Sequence, residues 1–411
     1  MDIASVWRGL GLNDRRSLYI ALTLPIVSIT AVGLLKSIAF GRSPPQIFRS
    51  PRKSLQLLSK QGLDDLPYPP DALPGARDID SPYGNTRVYE WGPEDGRKVL
   101  FVHGISTPCI AFADMAKLLV EKGCRVMLFD LFGRGYSDAP DTKLYRQDIG
   151  LWTSQILLVL SSSKLAWTGT NRFTMVGYSM GGGISAAFTS YFPELVESLI
   201  LIAPGGLLRP SRISRSSKLL YGNLLPDFAV KYFVGKRLRG SSAALPGIKS
   251  TQSSGTTPAQ AAESEVPGHP ANSKDSTAAM FPGHPQMSVA NAVSWEVDAH
   301  PGFLSSFISS IKYAPVSNEH ERWRIIGRRC TARKSSTDQD KVRGLNENKV
   351  LIIFGAQDPV IIAEETGADA TEALGAENVT VVNIEGGHDV PVINAQRCVE
   401  AITEFLNKSP V

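Results

Sequence analysis

Three residues far apart in the chain, Ser179, Asp358 and His388, are of the types needed to attack a carbonyl group. A serine hydroxyl is a weak nucleophile at neutral pH. It becomes effective when an imidazole can take its proton and a carboxylate fixes that imidazole's tautomer. Ser179 lies in Gly177-Tyr178-Ser179-Met180-Gly181, directly after the apolar run Phe173-Thr174-Met175-Val176 and before a stretch, 182–188, that reads as a helix. Strand, sharp turn and helix in that order predict a strained elbow with the hydroxyl projecting at the edge of a sheet. The flanking glycines permit the close approach of strand and helix. Without this setting the G-x-S-x-G string is weak, and an ordinary exposed serine on a glycine-rich turn reads the same.

The partners follow in a workable order. Val350-Leu351-Ile352-Ile353-Phe354 reads as a buried strand, and the turn after it carries Asp358. Val379-Thr380-Val381-Val382-Asn383-Ile384 reads as a further strand, with His388 on the glycine turn Glu385-Gly386-Gly387 just beyond it. Asp389 is a rival acid, but its position next to His388 points it away from the ring nitrogen, so Asp358 is preferred. Upstream, the apolar strand Lys98–Val102 leads into His103-Gly104-Ile105. The backbone N–H of Ile105, opposite that of Met180, is the expected pair of donors for the oxyanion that forms on attack.

Together these pieces, with Asp130-Leu131-Phe132-Gly133-Arg134-Gly135-Tyr136-Ser137, resemble the α/β-hydrolase family over roughly residues 85–206 and 346–408. The resemblance implies a mostly parallel central sheet covered by helices, a cap insertion above it, and ester-bond hydrolysis through an acyl-enzyme on Ser179. Haloalkane dehalogenases and epoxide hydrolases of that family are similar around Asp130 and Gly133 but carry aspartate at the elbow, so serine here points to acyl chemistry. The layout is also similar to membrane-anchored monoacylglycerol lipases, which implies an apolar or lipid-like ester, or thioester, as substrate. Other readings stay open: a hydrolase or cyclase tailoring a small secondary metabolite, cleavage of a carbon–carbon bond next to a ketone, or a catalytically silent binding protein. Asp130 ends a strand and reads as structural, its carboxylate bonding backbone N–H groups of the next turn.

The composition excludes several other classes. The chain has 411 residues, 43% hydrophobic and 20% charged, with a net charge of +4, which is ordinary for a globular protein of this length. No basic stripe suggests nucleic acid as a partner, and no glycine-rich phosphate loop suggests a nucleotide. Cys109, Cys124, Cys330 and Cys398 lack metal-ligand spacing, so no metal or other cofactor is expected. Pro-Gly-His-Pro occurs at 267–270 and again at 282–285, and reads as proline-rich loop rather than as a metal site through His269 and His284.

The elements expected to position the site alternate between strand and helix, as a parallel sheet requires. Residues 1–17 form an N-terminal tail. Residues 18–40 contain an uncharged run from Leu18 to Leu35 flanked by basic residues, and read as a single-pass transmembrane anchor. A signal peptide cut near Ser37 or Ala39 is the rival, and would yield a secreted form. Residues 41–84 read as a surface connector, 85–206 as the first part of the catalytic core and 346–411 as the second. Within the core, 86–92 alternates as an edge strand should. The intervening 207–345 reads as a cap. It holds a possible helix pair at 221–238, a stretch at 240–290 too poor in large apolar residues to order, a substrate-facing helix at 292–311 and an exposed basic loop at 328–341.

Overall fold

The computed structural model describes residues 46–209, 226–239, 277–281, 284–336 and 343–407, with Thr23, Val27, Ser28, Thr30 and Ala31. Chain contacts divide the protein into two compact units, Met1–Gln46 and Ile47–Val411. In the first, Thr23, Val27, Ser28, Thr30 and Ala31 are helical and exposed. The expected anchor at 18–40 otherwise lies outside the described residues, and among those described no helix is long and apolar enough to cross a membrane.

The second unit is built on an eight-stranded sheet with strands β2 (Ala76–Ile79), β3 (Thr86–Trp91), β4 (Arg97–Val102), β5 (Cys124–Phe129), β7 (Phe173–Tyr178), β8 (Val196–Ile202), β9 (Val350–Gly355) and β10 (Val379–Ile384). Their spatial order is β10-β9-β8-β7-β4-β5-β3-β2. From β10 to β5 every pairing is parallel, and β3 and β2 continue the sheet antiparallel. Two further strands, β1 (Ile47–Phe48) and β6 (Ala139–Pro140), form a separate antiparallel pair. The central strands carry unbroken apolar runs because helices cover both faces of a parallel sheet. Val99 to Val102, Leu199 to Ile202 and Val350 to Phe354 are all fully buried. Each such Leu, Ile, Val or Phe contributes about 1.5–3 kcal/mol relative to exposure.

The longer helices of this unit are α1 (Ala113–Glu121), α2 (Ile149–Ser161), α3 (Met180–Tyr191), α4 (Asp227–Leu238), α5 (Val289–Ala299), α6 (Phe303–Tyr313), α7 (His320–Ser335), α8 (Ala363–Leu374) and α9 (Ala395–Asn407). Local chemistry sets their ends. Asp148 caps α2 by accepting from the Leu151 N–H at 3.2 Å, and Ser288 caps α5 by accepting from Asn291 N–H at 3.3 Å. Gly123, at φ +84°, turns the chain out of α1. Helix α3 packs against α2 and α7, α7 packs on α8, and α1 packs with α9. Within the expected cap, helices α4, α5 and α6 pack on one another.

Several expectations need correction. Strand β3 is not an edge strand: β2, from within the supposed surface connector, pairs outside it, and Thr86 to Glu90 are buried. The same connector buries Tyr68 and Leu73 in the core. The expected cap helix at 292–311 is two helices, α5 and α6, broken at Pro301-Gly302. Of the possible pair at 221–238, one helix is described, and residues 221–225 lie outside the described set. The basic stretch at 328–341 is helical up to Ser335, because α7 buries Trp323, Ile326 and Cys330 on one side. Part of 240–290 is ordered: Met280 and Met287 are buried and the segment closes an antiparallel bridge between Ala279 and Ser288. The first Pro-Gly-His-Pro lies outside the described residues. His284 of the second is exposed, and no metal-holding group occurs among the described residues.

Candidate active site

Ser179 sits between β7 and α3 at φ 52°, ψ −121°, a backbone conformation that a non-glycine residue adopts only under constraint. The constraint comes from the neighbours. Its N–H donates to Ile202 O at 3.0 Å, and its carbonyl accepts from Gly182 N–H at 2.9 Å and Gly205 N–H at 2.8 Å. The glycines around it are needed for space. A Cβ on Gly177 would collide with Gly181 O and Ser185 Oγ, and one on Gly181 would collide with Val102 O at the end of β4.

The carboxyl ends of β9 and β10 bring the partners in. Ala356 N–H donates to Ile384 O at 2.8 Å and Gln357 N–H to Gly386 O at 2.9 Å, which ties the two turns together. The Asp358 Oδ1 atom accepts from Val360 N–H at 2.7 Å and Ile361 N–H at 2.9 Å, leaving Oδ2 facing His388. His388 Nδ1 lies 2.8 Å from Asp358 Oδ2, and His388 Nε2 lies 3.0 Å from Ser179 Oγ. Asp358 and His388 are buried, and Ser179 is only 3% exposed. The three side chains thus form one hydrogen-bonded series, a geometry in which a proton on Nδ1 would face the carboxylate and Nε2 could take one from the hydroxyl.

Asp389 is engaged elsewhere, since Tyr178 Oη donates to its Oδ1 at 2.9 Å. The Tyr178 ring lies beside the His388 imidazole, with centroids 5.2 Å apart. Tyr178 therefore holds Asp389 and packs against His388, contacts that the sequence reading missed although the residue lies within the elbow motif. Asp130 is structural, as expected. Its buried carboxylate accepts from Cys109 N–H at 3.0 Å, Tyr136 N–H at 2.9 Å and Tyr68 Oη at 3.1 Å. Burial pushes its pKa up, and these hydrogen bonds oppose the shift.

The loop carrying Ile105 runs beside Ser179: a Cβ on Gly104 would stand 3.4 Å from Ser179 Cβ. His103 Nδ1 donates to Gly104 O at 2.8 Å, while its Nε2 accepts from Leu131 N–H at 2.9 Å. That pairing requires a neutral ring, and burial pushes the His103 pKa down to about 3. Because the peptide is planar, fixing the Gly104 carbonyl fixes the Ile105 N–H in the opposite direction. Met180 is the first residue of α3, so its N–H has no acceptor within the helix. Sequence reasoning also missed Arg134, Glu296, His300 and Ser310, which are buried where the cap meets the turn after β5. Nothing local in the sequence signals that meeting, because Arg134 lies more than 150 residues from the other three.

Residues 98–394 match the family model described as alpha/beta hydrolase fold. The chain belongs to this family. As an α/β hydrolase it is similar to a serine hydrolase-like protein of Danio rerio, with 33% identity over 128 residues. That match covers 31% of this chain and 37% of the relative, so the chain spans little more than a third of that protein's length. Among solved structures, this α/β hydrolase resembles an esterase from Exiguobacterium antarcticum, with TM-score 0.51 and 18% identity, over 80% of this chain and 99% of the other. It also resembles a bacterial membrane phospholipase A, with TM-score 0.51 and 18% identity, over 95% and 98% of the two chains.

Proposed function

We propose that this α/β hydrolase is a serine hydrolase that cleaves a carboxylic ester, or thioester, of an apolar or lipid-like substrate. The observation that carries the reading is the unbroken hydrogen-bonded series from Ser179 Oγ through His388 to Asp358, with the serine on a strained elbow. In the reaction, His388 Nε2 takes the hydroxyl proton as Ser179 Oγ attacks the carbonyl carbon. The resulting oxyanion is held by the N–H groups of Met180 and Ile105. Asp358 keeps Nδ1 protonated and stabilises the imidazolium. His388 then passes its proton to the departing alcohol or thiol, leaving an acyl group on Ser179. Water attacks that ester with His388 again as base, and the acid leaves.

The likeness of the layout to membrane-anchored monoacylglycerol lipases supports a hydrophobic acyl group. We further propose that residues 18–40 anchor the chain in a bilayer, where such a substrate would partition. The uncharged run from Leu18 to Leu35 supports this. A fluorophosphonate probe tests the nucleophile: wild type labels, and Ser179→Ala does not. Equal labelling of the two would refute the assignment. Turnover of a panel of acyl esters, set against vinylogous diketones, then fixes the bond class. Cleavage of the diketones alone would replace ester hydrolysis by carbon–carbon hydrolysis.

A further inference from the structure

Arg134 is fully buried, yet the reaction described above does not use it. Its guanidinium joins two parts of the protein. Nε donates to Ile105 O at 2.9 Å, and Nη1 donates to Phe132 O at 3.3 Å in its own turn. On the other side, Nη2 donates to Ser310 Oγ at 2.9 Å, and the Phe303 ring lies 5.8 Å from the guanidinium carbon. Ser310 and Phe303 both belong to cap helix α6. The Ser310 hydroxyl donates its own proton to Ser306 O at 2.8 Å, so its lone pairs are turned to Arg134. Helix α5 holds the same turn from its other flank. Glu296 Oε1 accepts from Gly135 N–H, and His300 Nε2 donates to Ser137 O at 2.8 Å.

Ile105 is therefore fixed on both sides. The peptide before it is set by His103, a core residue, and the carbonyl after it accepts from Arg134, which also donates to Phe132 O in its own turn and to Ser310 on the cap. We propose that Arg134 is a positioning residue that makes the oxyanion loop depend on a seated cap. The proposal rests on the reading that Ser179 is the nucleophile and the Ile105 amide an oxyanion donor. When α6 lifts, the guanidinium loses Ser310 and the Phe303 face and becomes hydrated, and water competes for the Ile105 carbonyl. The donor site is then loosened in the open state and restored on closure. An acyl group that lets the cap close over it is hydrolysed, and one that props the cap open binds but reacts slowly. Such coupling acts on the transition state more than on binding, because the oxyanion exists only after attack.

Two variants of the full chain test this, Ser310→Ala and Arg134→Lys, assayed with a p-nitrophenyl ester after active-site titration. Ser310→Ala removes the hydrogen bond from Arg134 to the cap and leaves its bonds to Ile105 and Phe132, and kcat per titrated site is expected to fall about ten-fold with KM nearly constant. Arg134→Lys replaces a fork by a point charge, and the expected fall is on the order of 100-fold. Inhibition by a trifluoromethyl ketone, which forms an oxyanion on Ser179, should weaken by the same factors, while the pH dependence of kcat/KM stays unchanged because His388 and Asp358 are untouched. Wild-type kcat per titrated site in both variants would overturn the inference, and so would a lower melting temperature and a smaller titratable fraction with kcat per site intact, the signature of a purely structural role. A wild type that forms no acyl-enzyme overturns the reading of the site itself, and the inference with it.

Discussion

At the residue scale, the candidate site is decided by which carboxylate stands behind one imidazole. Asp358 and Asp389 are both close to His388, in space or in sequence, and both are buried. Their hydrogen bonds separate them: Asp358 reaches Nδ1, and Asp389 is taken by Tyr178. Asparagine at 358 could present its amide to the ring and favour the wrong tautomer, so Asp358→Asn is expected to lower kcat by about 10⁴-fold with little change in KM. Asp389→Asn keeps an acceptor for Tyr178 and leaves His388 with its partner, so its loss should be far smaller. Steady-state kinetics on one ester substrate checks the pair, and an Asp389→Asn variant as impaired as Asp358→Asn would reverse the assignment. The preference for Asp358 was legible in the sequence because a strand followed by an acid turn is a local pattern. Tyr178 was not read, since a tyrosine inside the elbow motif is equally suited to core packing.

At the element scale, what the sequence concealed is polar burial. Strand β3 alternates polar and apolar residues and so reads as half-exposed, but its polar residues find distant partners. Arg87 donates to Asp78 on β2 at 2.8 Å, and Glu90 meets Arg77 at 2.7 Å and Arg125 at 3.2 Å. No pattern within six residues reveals partners on other strands. Helix α7 was hidden differently: Trp323, Ile326 and Cys330 follow helical spacing, but the basic residues after them dominate the stretch. The cap seam shows the same polar burial and makes it testable. His300 donates to Ser137 O and accepts from Gly302 N–H at 3.1 Å, so it is held neutral, and its pKa is pushed down to about 4, chiefly by burial. The unfolded chain takes up this proton near pH 6.5 and the folded chain refuses it until about pH 4. The contribution of neutral His300 is therefore complete above pH 6.5 and drains away as the pH falls through that window, by about 3 kcal/mol in all. His300→Gln can still donate to Ser137 O but does not titrate. Denaturant unfolding at stepped pH should show wild type losing stability relative to the variant between pH 6.5 and 4. Parallel curves would mean that the ring is already protonated in the folded cap.

At the scale of the whole molecule, the α/β-hydrolase unit and the N-terminal unit pose separate physical problems. The sheet places Ser179, Asp358 and His388 at the carboxyl ends of β7, β9 and β10, where loops can vary without disturbing the apolar core. That arrangement follows from the alternation of strand and helix and was foreseeable from it. The N-terminal run obeys a different rule. From Leu18 to Leu35 it carries no charge, which is close to the shortest length that spans a hydrocarbon core, and Arg15 and Arg16 precede it while Lys36 and Arg42 follow. If it spans, the full chain expressed in cells stays in the pellet when membranes are extracted with alkaline carbonate. Two arginines introduced together at Val27 and Ile29 would each cost about 2.5–3.5 kcal/mol at the bilayer centre, enough to shift the chain into the supernatant. Release of the wild type by carbonate rules out the anchor, and N-terminal sequencing then distinguishes the remaining cases. A mature terminus just after Ala39 identifies a cleaved leader, and an intact Met1 leaves a segment that must bury its apolar side chains against protein.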